Sequence, residues 1–386
     1  VTVTGPLGFR AAGVAAGIKS SGALDLALVV NDGPNHEAAG VFTRNKIQAA
    51  PVLWSRQVLT AGRLRAVVLN SGGANACTGP QGFQTTHAEA ERVAEALGCG
   101  AAEVAVCSTG LIGTQLPRDK VLDGIAAAAE ALAGSDEAGS SAAGAVLTTD
   151  THAKQVDYLD SAGWRVGGFA KGAGMVAPAM ATMLAVLTTD AVADRDDLDA
   201  ALRAAVSLTF ERLDIDGSTS TNDTVLVLAS GASGVAATRA ELTDALTEAC
   251  TQLVDQLQSD AEGATKHVTI RVTGASTETD ALAVARSVAR DSLVKTAFFG
   301  SDPNWGRIAV AVGNADADID PHGLEIVING VTLCHKGEAV GDRTAADLAG
   351  MDIEVGIDLH VGSAGASVRT TDLSHAYVDE NSAYSS

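Results

Sequence analysis

The stretch Lys171-Gly-Ala-Gly-Met-Val-Ala-Pro-Ala-Met-Ala-Thr-Met-Leu184 holds a residue suited to nucleophilic chemistry. Thr182 stands where a Gly/Pro/Ala loop gives way to the apolar run Met183–Leu187, so its hydroxyl can be fixed while the peptide before it stays accessible. Ala181 offers little steric shielding of its own carbonyl. An internal threonine has no base to activate it, whereas a threonine freed at its own amino terminus carries an α-amine of pKa about 7.7–8.0, partly neutral near pH 7. In a generic protein the same stretch is a flexible loop entering a core strand.

Two further segments offer groups that bind negative charge. Cys107-Ser-Thr-Gly-Leu-Ile-Gly113 sets the Thr109 hydroxyl beside the Gly110 N–H, the makings of an oxyanion hole. Ser71-Gly-Gly-Ala-Asn-Ala-Cys-Thr-Gly79 exposes successive backbone N–H groups as an anion-binding nest. Neither matches a Walker or dinucleotide fingerprint, and each taken alone is more often a tight turn after a strand. Nothing basic adjoins Cys107, which reads as a core cysteine. The eight histidines are scattered without HExxH or His–Cys spacing, so no metal and no cofactor are expected. Asp214-Ile-Asp-Gly-Ser-Thr-Ser-Thr-Asn-Asp223 lacks the terminal glutamate of a calcium loop and reads as a capped polar turn.

The elements that must hold these groups follow an α/β grammar in the first half. Leu24–Val30, Ala66–Asn70 and Val104–Cys107 read as strands, the last two each ending at one of the anion-binding segments. Thr86-His-Ala-Glu89 has capping-box spacing and predicts a helix to Leu97, and a second helix is expected from Pro117 to about Leu132. Ala133–Gly144, rich in Ala, Gly and Ser, reads as a loop or linker. Further on, a helix at Asp197–Leu213, a strand at Thr224–Ala229 and a long helix opened by the Thr238/Glu241 capping box are expected. From His267 the texture changes. Val268–Val272 alternates, Ala281–Arg290 is helical, Leu324–Leu333 is a hairpin about Asn329-Gly330, and Ile353–Val361 turns and returns as Ser367–Val378. A second α+β domain is therefore expected over 270–386, after an N-terminal catalytic domain of 1–269.

Composition removes several functions. A formal charge of −21 repels a phosphate backbone, and with 3% aromatic residues there is no stacking platform, so nucleic acid is not an expected partner. The longest uncharged run, Gly172–Thr189, contains glycines, Pro178 and threonines and reads as buried rather than membrane-spanning. Five cysteines without regular spacing fit reduced thiols, and Val1–Lys19 lacks the apolar stretch of a secretory signal, so the expected compartment is the cytoplasm.

Six motifs in order along the chain carry a resemblance. Phe42-Thr-Arg-Asn-Lys46, Asn70–Gly79, Ser108-Thr-Gly110, the Lys171–Leu184 stretch, Asp216-Gly-Ser-Thr-Ser-Thr-Asn-Asp223 and Asp302-Pro-Asn-Trp-Gly-Arg307 together resemble the ornithine acetyltransferase (glutamate N-acetyltransferase, ArgJ-type) family. The resemblance implies the αββα layered fold shared with DmpA-type aminopeptidases, with a smaller C-terminal α/β domain. It also implies self-cleavage between Ala181 and Thr182 into an α chain 1–181 and a β chain 182–386, assembled as α2β2. By the same resemblance Thr182 is the nucleophile, and Thr109 with Gly110 the oxyanion hole. Thr148, Lys171, Glu262, Asn381 and Ser386 bind substrate, with N2-acetylornithine as acetyl donor and glutamate as acceptor in arginine biosynthesis. Acetyl-CoA as a further donor is left open. Two other classes compete: an aminopeptidase or amidase with the same terminal nucleophile, in which water takes the acyl group, and a noncatalytic small-molecule binder that uses the glycine loops as nests.

Overall fold

The computed structural model describes residues 2–175, 177 and 183–383, which form two compact units. Of the described residues, the first takes in those within 2–211 and 218–257, and the second those within 212–217 and 258–383.

In the first unit the chain runs β1 (Phe9–Val14), β2 (Leu26–Asn31), β3 (Glu37–Phe42), α1 (Ala50–Val58), β4 (Ala66–Asn70), α2 (Gly79–Leu97), β5 (Val104–Ser108), α3 (Arg118–Glu130) and α4 (Asp136–Ala145). It continues through β6 (Lys154–Leu159), β7 (Arg165–Lys171), β8 (Leu184–Thr189), α5 (Arg195–Leu208), β9 (Thr224–Ala229) and α6 (Arg239–Ser259). Two sheets result, ordered β1-β2-β4-β5 and β3-β9-β8-β7-β6. They pack face to face: Ala27, Val29, Val67 and Leu69 of one share a core with Phe169, Leu184, Val186 and Leu226 of the other. The opposite face of the first sheet, Leu28, Val68 and Val106, is covered by Val93 of α2 and Val121 and Ile125 of α3. α5 packs on β3 of the second sheet. Strands buried on both faces read as continuous apolar runs, which is why β4, β5 and β9 stand out in the sequence.

Two parallel pairings position the chemistry. β4 and β5 place Asn70 opposite Ser108, and β8 and β9 place Leu184 opposite Thr224. The residues just beyond those strand ends are thereby brought side by side.

In the second unit, β10 (His267–Ala275), α7 (Glu278–Arg290), α8 (Ser292–Phe299), α9 (Trp305–Gly313), β11 (Glu325–Ile328), β12 (Val331–His335), β13 (Glu338–Ala339), β14 (Asp352–Asp358), β15 (Ala364–Thr371) and α10 (His375–Ala383) follow in order. Their sheet runs β13-β12-β11-β14-β10-β15, and α7 and α9 pack Val284, Val288, Ile308 and Val312 onto Ile270, Val355 and Val368. The Asn329-Gly330 turn joins β11 to β12 with both residues at positive φ (45° and 81°), as a type I′ hairpin requires.

Three expectations are corrected. The Thr86/Glu89 spacing lies inside α2, which opens seven residues earlier with proline in its first turn; Glu89 is buried rather than capping. Ala133–Gly144 is mostly α4, capped by Ser135, whose hydroxyl accepts the Ala138 N–H; small residues there let the helix pack closely instead of linking domains. The runs Ile353–Val361 and Ser367–Val378 are not partners, because β10 sits between β14 (parallel) and β15 (antiparallel), and the second run ends at Thr371 before α10. The Thr238/Glu241 capping box is present, with both reciprocal bonds made.

Candidate active site

The ends of β4 and β5 are welded by polar side chains. Ser108 Oγ donates to Asn70 Oδ1 at 2.6 Å, Asn70 Nδ2 to the Gly73 carbonyl at 3.0 Å, and the Thr109 N–H to the Asn70 carbonyl at 3.0 Å. Asn222, arriving from the loop before β9, donates to the carbonyls of both Ala74 and Ser108 at 2.6 and 2.8 Å and locks the two loops together. Gly110 has φ +128°, and a methyl group there would come within 2.5 Å of Gly73 N, so only glycine permits this approach. Among the described residues the buried Thr109 hydroxyl has no hydrogen-bond partner. A buried donor left unsatisfied is costly to the fold, and such orphans mark places where a ligand supplies the acceptor.

A second cluster lies where the loop before β6 meets the end of β7. Lys171 Nζ donates to Thr148 Oγ1 at 2.7 Å and lies 3.5 Å from Asp150 Oδ2. Asp150 also takes Lys154 Nζ and the Gly172 N–H, each at 2.6 Å, and the Thr148 N–H at 3.2 Å. Burial alone would push the Asp150 carboxyl up. Lys171 and Lys154, with the Gly172 N–H, overcome that and hold it well below the usual carboxylate range. The result is a buried, preorganised ammonium–carboxylate–hydroxyl group.

Asp223 closes the arrangement at β8. Its Oδ1 accepts the Met183 N–H at 3.0 Å, while Oδ2 is buried and unpartnered among the described residues. Burial raises this carboxyl well above its ordinary value, opposed by the Met183 N–H and by the charge of Lys171. Thr182 and Ala181, the sequence-expected nucleophile and its neighbour, lie outside the described residues, as does Ser386.

Of the expected site residues, Thr109, Gly110, Thr148 and Lys171 are held in the first unit, Thr148 and Lys171 in direct contact. Glu262 and Asn381 belong to the second unit and are also brought together: Asn381 Nδ2 donates to Glu262 Oε2 at 2.8 Å. Gly263 makes that possible, since a methyl group there would meet Tyr377 N at 2.2 Å. Cys107 is a buried core thiol pushed up to about 12 by burial and by the neighbouring Glu89. The Asp214 loop is a braced turn, its carboxylate taking Arg290 Nε and the Gly217 N–H.

Sequence reading missed the supporting residues Asp150, Asn222 and Asp223, although Asn222 and Asp223 lie within a quoted motif and Asp150 stands two residues after Thr148. Their signal was a carboxylate or amide among small hydroxyl residues next to an apolar run, and only burial distinguishes such a residue from an ordinary turn former.

Two face-packed sheets, with the close-packed Gly72-Gly73 and Thr109-Gly110 loops at the ends of one and a buried ammonium cluster at the rim of the other, define a layered α/β enzyme. The ArgJ family model matches residues 10–386. The arginine biosynthesis bifunctional protein ArgJ of Mycobacterium tuberculosis is 60% identical over all of this chain and 96% of its own length. That of Streptomyces coelicolor is 54% identical over the full length of both. Among solved structures, the arginine biosynthesis bifunctional protein ArgJ of Bacillus halodurans aligns at 35% identity with a TM-score of 0.50, covering 52% of this chain and 98% of that one. The chain belongs to the ArgJ family.

Proposed function

We propose that this chain is a glutamate N-acetyltransferase of arginine biosynthesis, moving the acetyl group of N2-acetylornithine to glutamate after cutting itself between Ala181 and Thr182. The observation that carries the reading is the buried, unpartnered Thr109 hydroxyl beside Gly110, an oxyanion hole awaiting its oxygen, in a chain that the family model matches almost end to end.

In self-cleavage the Thr182 hydroxyl oxygen attacks the Ala181 carbonyl carbon, the peptide C–N bond breaks with the hydroxyl proton passing to the departing Thr182 nitrogen, and the acyl group is carried on oxygen as an ester. Water then hydrolyses the ester and leaves Thr182 with a free amine. Asp223 supports this step by fixing the N–H of Met183, the residue bonded to the Thr182 carbonyl. In acetyl transfer the Thr182 amine takes the hydroxyl proton as the oxygen attacks the acetyl carbon of acetylornithine. The amide C–N bond breaks, ornithine leaves with the proton, and acetyl-threonine remains. The glutamate amine attacks that ester, the C–O bond breaks, and the hydroxyl is restored.

Thr109 and the Gly110 N–H stabilise the negative oxygen in every tetrahedral intermediate. Lys171, braced by Asp150 and Thr148, is assigned to the α-carboxylate that ornithine and glutamate share. On the second unit, Glu262 with Asn381 bonded to it offers a carboxylate suited to the ornithine ammonium. Ser386 is assigned to substrate binding on the resemblance alone. The processed chains 1–181 and 182–386 remain associated as α2β2 in the cytoplasm.

Intact-mass measurement with N-terminal sequencing tests the reading. Two fragments are expected, one beginning at Thr182; Thr182→Ala stays uncut and inactive, and Thr182→Ser retains cutting. Label supplied on acetylornithine should appear on glutamate. Efficient processing of the alanine variant, or release of the label only as acetate, would refute the assignment.

A further inference from the structure

We propose that Lys19 is a second carboxylate-binding ammonium of the acetyl-acceptor site, recognising the side-chain carboxylate that glutamate has and ornithine lacks. This rests on the acetyl-transfer reading. The acceptor carries two carboxylates, and the site as assigned so far supplies Lys171 for only one of them.

Lys19 is anchored beside that residue. Its Nζ donates to the Leu147 carbonyl at 2.7 Å, and Lys171 Nζ donates to the hydroxyl of the next residue, Thr148, at 2.7 Å. Consecutive residues of one loop therefore hold both ammoniums. The same lysine lies against the oxyanion nest: a methyl group built on Gly72 would be 3.2 Å from Lys19 Cγ, while one built on Gly110 would meet Gly72 and Gly73. Lys19 thus stands between the oxyanion donors and Lys171.

Its ammonium is held by backbone carbonyls. The other Nζ bond goes to the Leu24 carbonyl at 3.2 Å, so both acceptors are neutral and the third N–H has no partner among the described residues. Asp25, the nearest carboxylate in sequence, is occupied by the backbone N–H groups of Ala16, Ile18 and Lys19 at 2.6, 2.7 and 2.9 Å. It shapes the loop that presents the lysine and is also the strongest attractive charge on it, though no bond joins the two side chains among the described residues. Burial lowers the Lys19 ammonium below its ordinary value; Asp25 opposes this most strongly, the charge of Lys171 adds to it, and Asp150 opposes it less. An incoming carboxylate would relieve the repulsion between the two ammoniums, an interaction that a ligand with one carboxylate makes less completely.

The test uses the processed enzyme and follows the two half-reactions separately. Acetylation of Thr182 by acetylornithine without acceptor is read by intact mass, and discharge of the acetyl-enzyme is read against glutamate and against glutamine. In Lys19→Met the KM for glutamate should rise about tenfold or more while acetylation by acetylornithine stays within about twofold. The wild-type preference for glutamate over glutamine should shrink by the same factor, and Lys19→Arg should restore part of it. An unchanged glutamate KM, or an equal fall in both half-reactions as a merely structural lysine would give, overturns the proposal. So does a wild-type enzyme indifferent between glutamate and glutamine, whatever the variants do. A wild-type enzyme never acetylated at Thr182 overturns the acetyl-transfer reading and this proposal together.

Discussion

Replacing Asp150 by asparagine isolates the buried charge cluster. The Asp150 and Lys154 side chains are 0% exposed and that of Lys171 is 1% exposed, so the carboxylate is the counter-charge for two ammoniums that have no water to turn to. Asparagine keeps the shape and part of the hydrogen bonding but removes the negative charge that both ammoniums contact. Removing one partner of a buried pair typically costs about 3–5 kcal/mol, a large share of the roughly 5–15 kcal/mol that holds a domain together. At about 2–4 °C per kcal/mol for a unit of this size, the melting temperature should fall by about 6–20 °C. The pH dependence provides a second check. The folded-state carboxyl titrates below its unfolded value of about 3.9, so its stabilisation is fully present above that pH and is lost as pH falls through the folded value. The gap between wild type and variant, measured by thermal or urea unfolding, should therefore be constant near neutrality and narrow below about pH 4. The double variant Asp150→Asn/Lys154→Met, which also removes one of the buried positive charges, should recover part of the loss. A single variant within about 0.5 kcal/mol of wild type at pH 7 would refute the claim that this cluster is held by buried charge.

Two more measurements separate fold from chemistry. Thr109→Val removes a buried hydroxyl with no partner among the described residues, so stability should hold or rise, while acetyl transfer falls about a hundredfold or more; a variant that transfers normally would remove Thr109 from the oxyanion hole. Glu89 is fully buried, both its oxygens lack hydrogen-bond partners among the described residues, and burial raises its carboxyl to about 8. Between its unfolded value near 4.3 and 8, the native state holds a proton that the unfolded chain releases, so stability should decline by about 1.4 kcal/mol per pH unit. Glu89→Gln should flatten that decline, and an unchanged slope in urea titrations would show that another group causes it.

How much was legible depended on which residues built each element. β4, β5 and β9 are unbroken apolar runs, and the Asn-Gly hairpin and the Thr238 capping box have local chemistry that fixes them, so each was readable in place. β1 (FRAAGV) and β3 (EAAGVF) escape the same reading because alanine and glycine have little strand propensity and owe their conformation to partners far along the chain. α4 was hidden for a related reason: Ala, Gly and Ser give no strong amphipathic pattern, and its Ser135 cap resembles ordinary loop chemistry.

The sequence by itself determined the chemical vocabulary of the site: a Thr-Gly pair and a glycine nest at strand ends, a lysine after an apolar strand, and a threonine where a loop turns apolar. Local residue types suffice for that, because turn formation, capping and hydrophobic periodicity act over a few residues. Only the tertiary structure decided that Asn70 faces Ser108, that Asn222 clamps both loops, that Asp223 holds Met183, and that Asp150 is buried between two lysines. Those facts depend on strand pairing between segments up to 148 residues apart and on exclusion of water. Burial turns an ordinary aspartate into a structural counter-charge, and no local pattern encodes it.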